Sequence, residues 1–254
     1  MAKIVAIANQ KGGVGKTTTS VNLSACVAMQ GKRVLLVDED PQGNATSGLG
    51  ISKSGDAPSI YDVFINDYRV NDVIRPTMID TLSILPSNIQ LAGAEIELVS
   101  MMAREQILKR ALAEVQDSFD YIFIDCPPSL GLLTLNALTA ADTLLVPIQC
   151  EYYALEGLSQ LMNTVKLVRK NLNPSLDVEG VVLTMFDSRT NLSIQVVEEV
   201  RKFFKNKVYE TIIPRSVRLS EAPSYGLPVI LYAAKSSGAL AYTALAGELT
   251  GKGN

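Results

Sequence analysis

The sequence predicts an α/β protein whose mostly parallel, twisted β-sheet is flanked by helices on both faces. Short apolar, β-branched runs recur at residues 4–8, 34–37, 82–85, 121–124, 144–148, 181–185 and 211–213. Several are continuously apolar instead of alternating, the pattern of strands covered on both sides, and the segments between them are long enough for crossover helices. Directly after the first run and before the first helical segment stands Q-K-G-G-V-G-K-T-T, residues 10–18. A strand, a Gly-rich loop with Gly-Lys-Thr and then a helix is the context of phosphate binding, and it narrows the fold to the P-loop NTPase class.

Helical period and stop signals predict helices over residues 16–30, closed by Gly31, then 94–116, 132–140, 154–171 ahead of Pro174, 194–205 and 239–249. Residues 38–58, 187–192 and 214–228 are polar or punctuated by Pro, Gly and Ser, so they predict loops at which function collects. Residues 52–86 fit neither period well. No low-complexity linker interrupts the chain, so residues 1–250 are expected to form one P-loop ATPase domain with a short flexible tail at 251–254.

With 47% hydrophobic and 19% charged residues, the 254-residue chain lies far from the composition of disorder. A chain of this length buries roughly 70–75% of its unfolded surface. The net charge of −3 argues against polyanion binding over the whole surface, so any nucleic-acid face must be local. Cys26, Cys126 and Cys150 are too few for a disulfide scaffold and lack the spacing of a zinc half-site, which fits a reducing, cytosolic compartment. The N-terminus lacks the features of a signal peptide, and no apolar run approaches the ~18 residues of a bilayer span. There is no histidine, which removes ordinary Ser-His or Cys-His nucleophiles.

Within the loop, Gly12, Gly13 and Gly15 permit backbone angles and close approaches that a Cβ forbids, so that N–H groups, Val14 among them, can turn onto phosphate oxygens at a helix N-terminus. Lys16 supplies a point charge to the β- and γ-phosphates, Thr17 offers a hydroxyl to Mg²⁺, and Thr18 serves the α-phosphate. The standard motif has its first glycine where Gln10 stands, and this loop carries Lys11 instead. A lysine at the mouth has no room to fold back, and the adjoining glycines leave a flat backbone, so a nucleotide sandwiched between two chains is expected.

Asp38, Glu39 and Asp40 follow the second strand, and alternation turns Asp38 and Asp40 together toward the phosphate loop while Glu39 points away. Residues 121–125, Y-I-F-I-D, form an apolar strand ending in a carboxylate, the arrangement in which Asp125 holds a metal through water. The rigid Cys126-Pro127-Pro128-Ser129 turn after it is suited to sense a γ-phosphate, and Cys126 is expected to be a small buried side chain.

K-G-G-V-G-K-T-T resembles the deviant Walker A motif of the MinD/ParA ATPases. V-D-E-D-P-Q-G-N-A-T-S-G-L-G, I-D-C-P-P-S-L-G, P-I-Q-C-E-Y-Y-A-L-E-G-L and R-L-S-E-A-P-S-Y-G-L-P extend the match nearly throughout, and the set resembles the Soj/ParA chromosome-partitioning ATPases. The resemblance implies catalytic roles for Lys11, Lys16 and Asp40, with Lys11 reaching the partner subunit's nucleotide and Asp40 orienting the attacking water. It implies metal binding by Thr17, Asp40 and Asp125, and adenine packed against Met185, Pro214 and Ser216. ATP/ADP and Mg²⁺ are the implied ligands. The implied partners are a second copy in an ATP-dependent homodimer, nonspecific double-stranded DNA and a ParB/Spo0J-type centromere-binding protein that stimulates slow hydrolysis. A cytoplasmic, nucleoid-associated location follows.

Residues 189–218 hold seven cationic side chains against three acidic ones in an otherwise acidic chain. Such a segment can neutralise duplex phosphates without reading sequence, and two copies joined through ATP would double the contacts. The resemblance singles out Arg189 and Arg218 for DNA contact. A membrane-surface ATPase of the MinD kind would need a basic amphipathic C-terminal helix, whereas A-Y-T-A-L-A-G-E-L-T-G-K-G-N has one Lys, so no membrane partner is expected. An iron-protein relative would need a Cys pair at the dimer axis, and Cys126 and Cys150 fall on separate strand ends.

Overall fold

The computed structural model describes residues 1–53, 57–151 and 158–251. Strands β1 (Lys3–Ile7), β2 (Val34–Asp38), β3 (Arg75–Pro76), β4 (Leu82–Leu85), β5 (Tyr121–Asp125), β6 (Thr143–Gln149), β7 (Asp177–Phe186) and β8 (Val208–Pro214) form a sheet ordered β3-β4-β2-β5-β1-β6-β7-β8. Every pairing is parallel except that of β3 with β4. Helices that cover the sheet or border its carboxyl end include α1 (Lys16–Met29), α2 (Asn44–Gly48), α3 (Leu91–Glu97), α4 (Ile107–Ala113), α5 (Leu132–Ala140), α6 (Leu158–Asn171), α7 (Asn191–Phe204) and α8 (Ser237–Leu249).

Strand pleating sorts the apolar runs into two layers. Leu35, Val37, Ile122 and Ile124 face a core closed by α3 to α7, while Val34, Leu36 and Phe123 face a second core closed by α1, α2 and α8. Both faces are thus covered, which is why the strands lack polar alternation. The chain leaves β1 toward β2 on one side and reaches β6 on the other. The crevice at the carboxyl ends of β1, β2 and β5 is therefore where a parallel sheet presents a ligand site.

The seven expected strands are present with ends shifted by a few residues. β3 escaped prediction because it is a two-residue antiparallel edge containing proline, tolerated where no ladder donor is needed. The expected helix over residues 94–116 is instead broken. Met101 is extended (φ −83°, ψ 142°) and Ala103 left-handed (φ 52°), separating α3 from α4. Buried Asn136 of α5 stabilises the break: its Oδ1 accepts from Leu108 N at 3.1 Å and its Nδ2 donates to the Arg104 carbonyl at 2.8 Å. The loop expected over 38–58 contains α2, and that over 214–228 contains a helical turn, Val217–Glu221. Of the helix expected over 154–171, residues 154–157 lie outside the described residues, as do residues 252–254 of the expected tail. Among the described residues, no helix is long and apolar enough to cross a membrane.

Phe123 is fully buried in β5. Truncation to alanine should lower stability by roughly 3–5 kcal/mol. Urea unfolding at unchanged m-value checks this, and a loss under about 1 kcal/mol would contradict the packing described.

Candidate nucleotide-binding site

The loop between β1 and α1 is held by three hydrogen bonds. Asn9 donates from Nδ2 to the Pro147 carbonyl at 2.7 Å, while its Oδ1 accepts from Lys11 N at 3.1 Å. From β7, Thr184 Oγ1 donates to the Val14 carbonyl at 2.8 Å. Gly13 and Gly15 adopt left-handed backbone (φ 72° and 88°), which a side chain would strain. Gly15 opens α1 with no side-chain cap, leaving the N–H groups of the first turn available to an anion. Gly12 differs, since its backbone is not left-handed and a Cβ built on it meets no described atom within 4 Å.

Lys16 is buried, and its Nζ lies 3.4 Å from the Lys11 carbonyl oxygen. Burial pushes the ammonium pKa down, opposed by the charges of Asp125, Cys126 and Asp40. The residue is poised to exchange a weak internal bond for a phosphate oxygen.

The parallel register sets Asp38 directly beside Asp125. Both are fully buried, and burial raises both carboxyl pKa values, with the charge of Asp38 adding to the rise at Asp125. Their roles differ. Asp38 shares the loop-facing side with Asp40, as alternation predicted, but its Oδ2 is taken up by Thr46 N and Oγ1, each at 2.7 Å, so it anchors α2. Asp40 accepts from Gln42 N at 2.9 Å and lines a cavity of about 410 Å³ together with Gly12, Gly13, Lys16, Thr17 and Pro128. Asp125 Oδ1 accepts from Ser20 Oγ at 2.8 Å, and its Oδ2 is buried with no partner among the described residues. Glu39 points to the opposite face, as expected, and is fully buried. Cys126 is likewise buried, which raises its thiol pKa well above the ordinary value.

A second cavity of about 370 Å³ begins at Gly15 and Thr18 and is walled by Met185, Pro214 and Ser216, the three positions expected against adenine. Met185 lines both cavities and has a left-handed backbone (φ 53°) at the end of β7. Arg215, Leu219 and Tyr242 also line this cavity and were not anticipated. Tyr242 is buried, with its hydroxyl 3.1 Å from Thr19 Oγ1. Neither Thr184 nor Tyr242 stands in a motif, so only the fold brings them to the loop.

The basic segment does not form one face. Arg189 and Arg215 follow the carboxyl ends of β7 and β8, and Arg215 lines the second cavity. Lys205 and Lys207 follow α7, whose 14 residues carry the chain to the opposite end of the sheet, about 21 Å away at helical rise. There Lys207 pairs with Asp177 at 3.0 Å, at the start of β7. Arg189 forms a two-pronged pair with Asp187 (2.9 and 2.7 Å), and Arg218 pairs with Glu221 at 2.8 Å. Both pairs are exposed, so they hold these arginines weakly.

Residues 2–178 match the family model described as an AAA domain. Sporulation initiation inhibitor protein Soj of Bacillus subtilis is 64% identical over 253 residues, covering 100% of both chains. Chromosome partitioning protein ParA of Myxococcus xanthus is 56% identical over 249 residues, covering 98% of this chain and 88% of that protein. The chain belongs to the Soj/ParA family of chromosome-partitioning ATPases. Among solved structures, cobyrinic acid a,c-diamide synthase from Mycobacterium smegmatis with bound ATP analog and magnesium matches with a TM-score of 0.87 at 41% identity, covering 98% of this chain and 95% of that one. Membership of the Soj/ParA family accords with the deviant loop: Lys11 and Lys16 flank the glycines, and a Cβ at Gly12 meets nothing within 4 Å among the described residues.

A divalent cation needs deprotonated ligands, whereas burial pushes the carboxyl pKa of Asp38 up to about 6 and that of Asp125 up to about 8, the charge of Asp38 adding to the rise at Asp125. Binding of ATP with magnesium should therefore expel protons and tighten as the pH rises from about 6 to about 8. Calorimetry in buffers of different ionisation enthalpy reads this directly. Heats independent of buffer would refute it.

Proposed function

We propose that the protein is an ATP-driven DNA-segregation switch: ATP closes a sandwich dimer, the dimer holds DNA without reading its sequence, and slow hydrolysis releases it. The observation that carries this reading is the phosphate loop, in which Gly12, next to Lys11 in the chain, lines a cavity together with Lys16, Thr17 and Asp40. The residues present fit nucleotide and metal. Left-handed glycines form a cradle that a Cβ would strain, uncapped helix donors face it, and Asp125 offers a buried oxygen without a partner among the described residues.

In this reading the N–H groups of residues 12–18 and the Lys16 ammonium bind the triphosphate, Thr17 and Asp125 hold the magnesium with its waters, and Met185, Pro214 and Ser216 enclose the base. When bound, magnesium neutralises charge on the β- and γ-phosphates. Asp40 orients the attacking water by accepting its hydrogen bond, and Lys11 extends to the phosphates held by the second protomer. Phosphoryl transfer demands positioning and charge neutralisation more than a strong base, so these groups suffice without histidine. Arg189 and Arg218, near the cavity edge, would meet DNA phosphates, and pairing two protomers doubles those contacts. By similarity to the partitioning relatives, a ParB/Spo0J-type protein stimulates hydrolysis.

Gly12→Val tests the sandwich. A Cβ at residue 12 meets no described atom within 4 Å, so the variant should fold and bind ATP yet remain monomeric by light scattering under conditions where the parent pairs. An intact ATP dimer would overturn the reading. For the DNA contact, Arg189→Ala should weaken duplex binding equally across unrelated sequences and reduce the salt slope by about one unit. An unchanged slope moves the contact elsewhere.

A further inference from the structure

Ser20 lies on α1 one turn beyond Lys16 and is fully buried. Its Oγ is 2.8 Å from Asp125 Oδ1 and 3.0 Å from the Lys16 carbonyl oxygen. A hydroxyl has one proton to give, and a carboxylate is a stronger acceptor than a carbonyl within a helix. The proton therefore goes to Asp125. This fixes which oxygen is occupied: Oδ1 is engaged, while Oδ2 remains buried with no partner among the described residues.

The other neighbours of Asp125 cannot perform this task alone. Thr17 stands near enough to Asp125 to favour its charged form, but in the proposed function its hydroxyl oxygen must turn to the cation. Asp38, directly alongside in register, is an acceptor whose own oxygens take Thr46 and Asp40 N. It repels Asp125 and gives it no donor. Ser20 alone combines a donor hydroxyl with a position enclosed between α1 and β5.

We propose that Ser20 is a positioning residue for the metal centre: it locks the Asp125 carboxylate so that Oδ2 alone is presented to the hydration shell of the magnesium ion that accompanies ATP. The inference rests on the metal-holding role of Asp125 given above and adds the group that orients it. Metal ligands held by such outer partners typically lose 10–100-fold in affinity when the partner is removed.

The test is a magnesium titration followed by fluorescence of an ATP analogue on the full-length protein, with Ser20→Ala, Ser20→Thr and Asp125→Asn compared to the parent. Ser20→Ala should need about ten-fold more magnesium for half-saturation. Its affinity for the analogue in EDTA should be unchanged, and Ser20→Thr, which restores the hydroxyl, should titrate like the parent. If Asp125→Asn shifts the titration and Ser20→Ala does not, the positioning role is overturned while the metal role of Asp125 stands. If neither shifts, both fall. If Ser20→Ala loses affinity equally with and without magnesium, the residue supports the loop rather than the metal, and the proposal is overturned.

Discussion

The parallel register of β2 against β5 places two carboxylates, Asp38 and Asp125, side by side in the interior, and the site is organised around accommodating them. Neither can be left to water, and each is matched to a hydroxyl from a different helix: Thr46 for Asp38 and Ser20 for Asp125. Burial of like charges is costly unless each is hydrogen-bonded or neutralised. The solution has a geometric consequence. Because Asp38 binds both Thr46 N and Oγ1, α2 is pinned to the end of β2, and the turn before it carries Asp40 and Gln42 to the phosphate cavity. Thr46 Oγ1 in turn accepts from Ser87 N at 2.9 Å, so the segment after β4 is tied into the same cluster.

What could be read from the sequence was what is encoded locally. Three glycines, two lysines and two threonines fall within nine residues just after a strand, and apolar runs announce strands because both faces of the sheet are covered. The break between α3 and α4 was hidden for the opposite reason: residues 94–116 keep helical composition, and the group that makes the break tolerable, Asn136, comes from another helix. Thr184 and Tyr242 were equally out of reach. One is a strand residue and the other a helix residue, and their meeting with the phosphate loop is a product of topology.

The distribution of charge shows the same limit. Seven cations within thirty residues read as one patch in one dimension, yet α7 carries its later lysines away from the nucleotide edge. At that far end Asp177 stands between Arg169 (3.9 Å) and Lys207 (3.0 Å), which reduces the field there. Near the cavities Asp187 and Glu221 do the same for Arg189 and Arg218 through exposed pairs that salt or a competing phosphate can open. In the proposed function a nucleotide-dependent DNA contact belongs at the edge where cations and cavities meet, since there a closing dimer would bring two sets of arginines onto one duplex.

Glu39 completes the electrostatic argument. A third carboxylate between two aspartates would burden a metal site if it turned inward, because an added negative charge alters both cation affinity and the charge on the leaving phosphate. Strand alternation sends it to the other face of the sheet, where both its oxygens are buried without partners among the described residues. Burial, reinforced by the charge of Glu95, raises its pKa well above the ordinary range, so the neutral acid is the favoured form. In the proposed function the charge that phosphate and cation meet is then set by Lys16, Asp40 and Asp125, and the acidic triplet in the sequence reduces to one anchoring residue, one interior residue whose neutral form burial favours and one residue that lines the cavity.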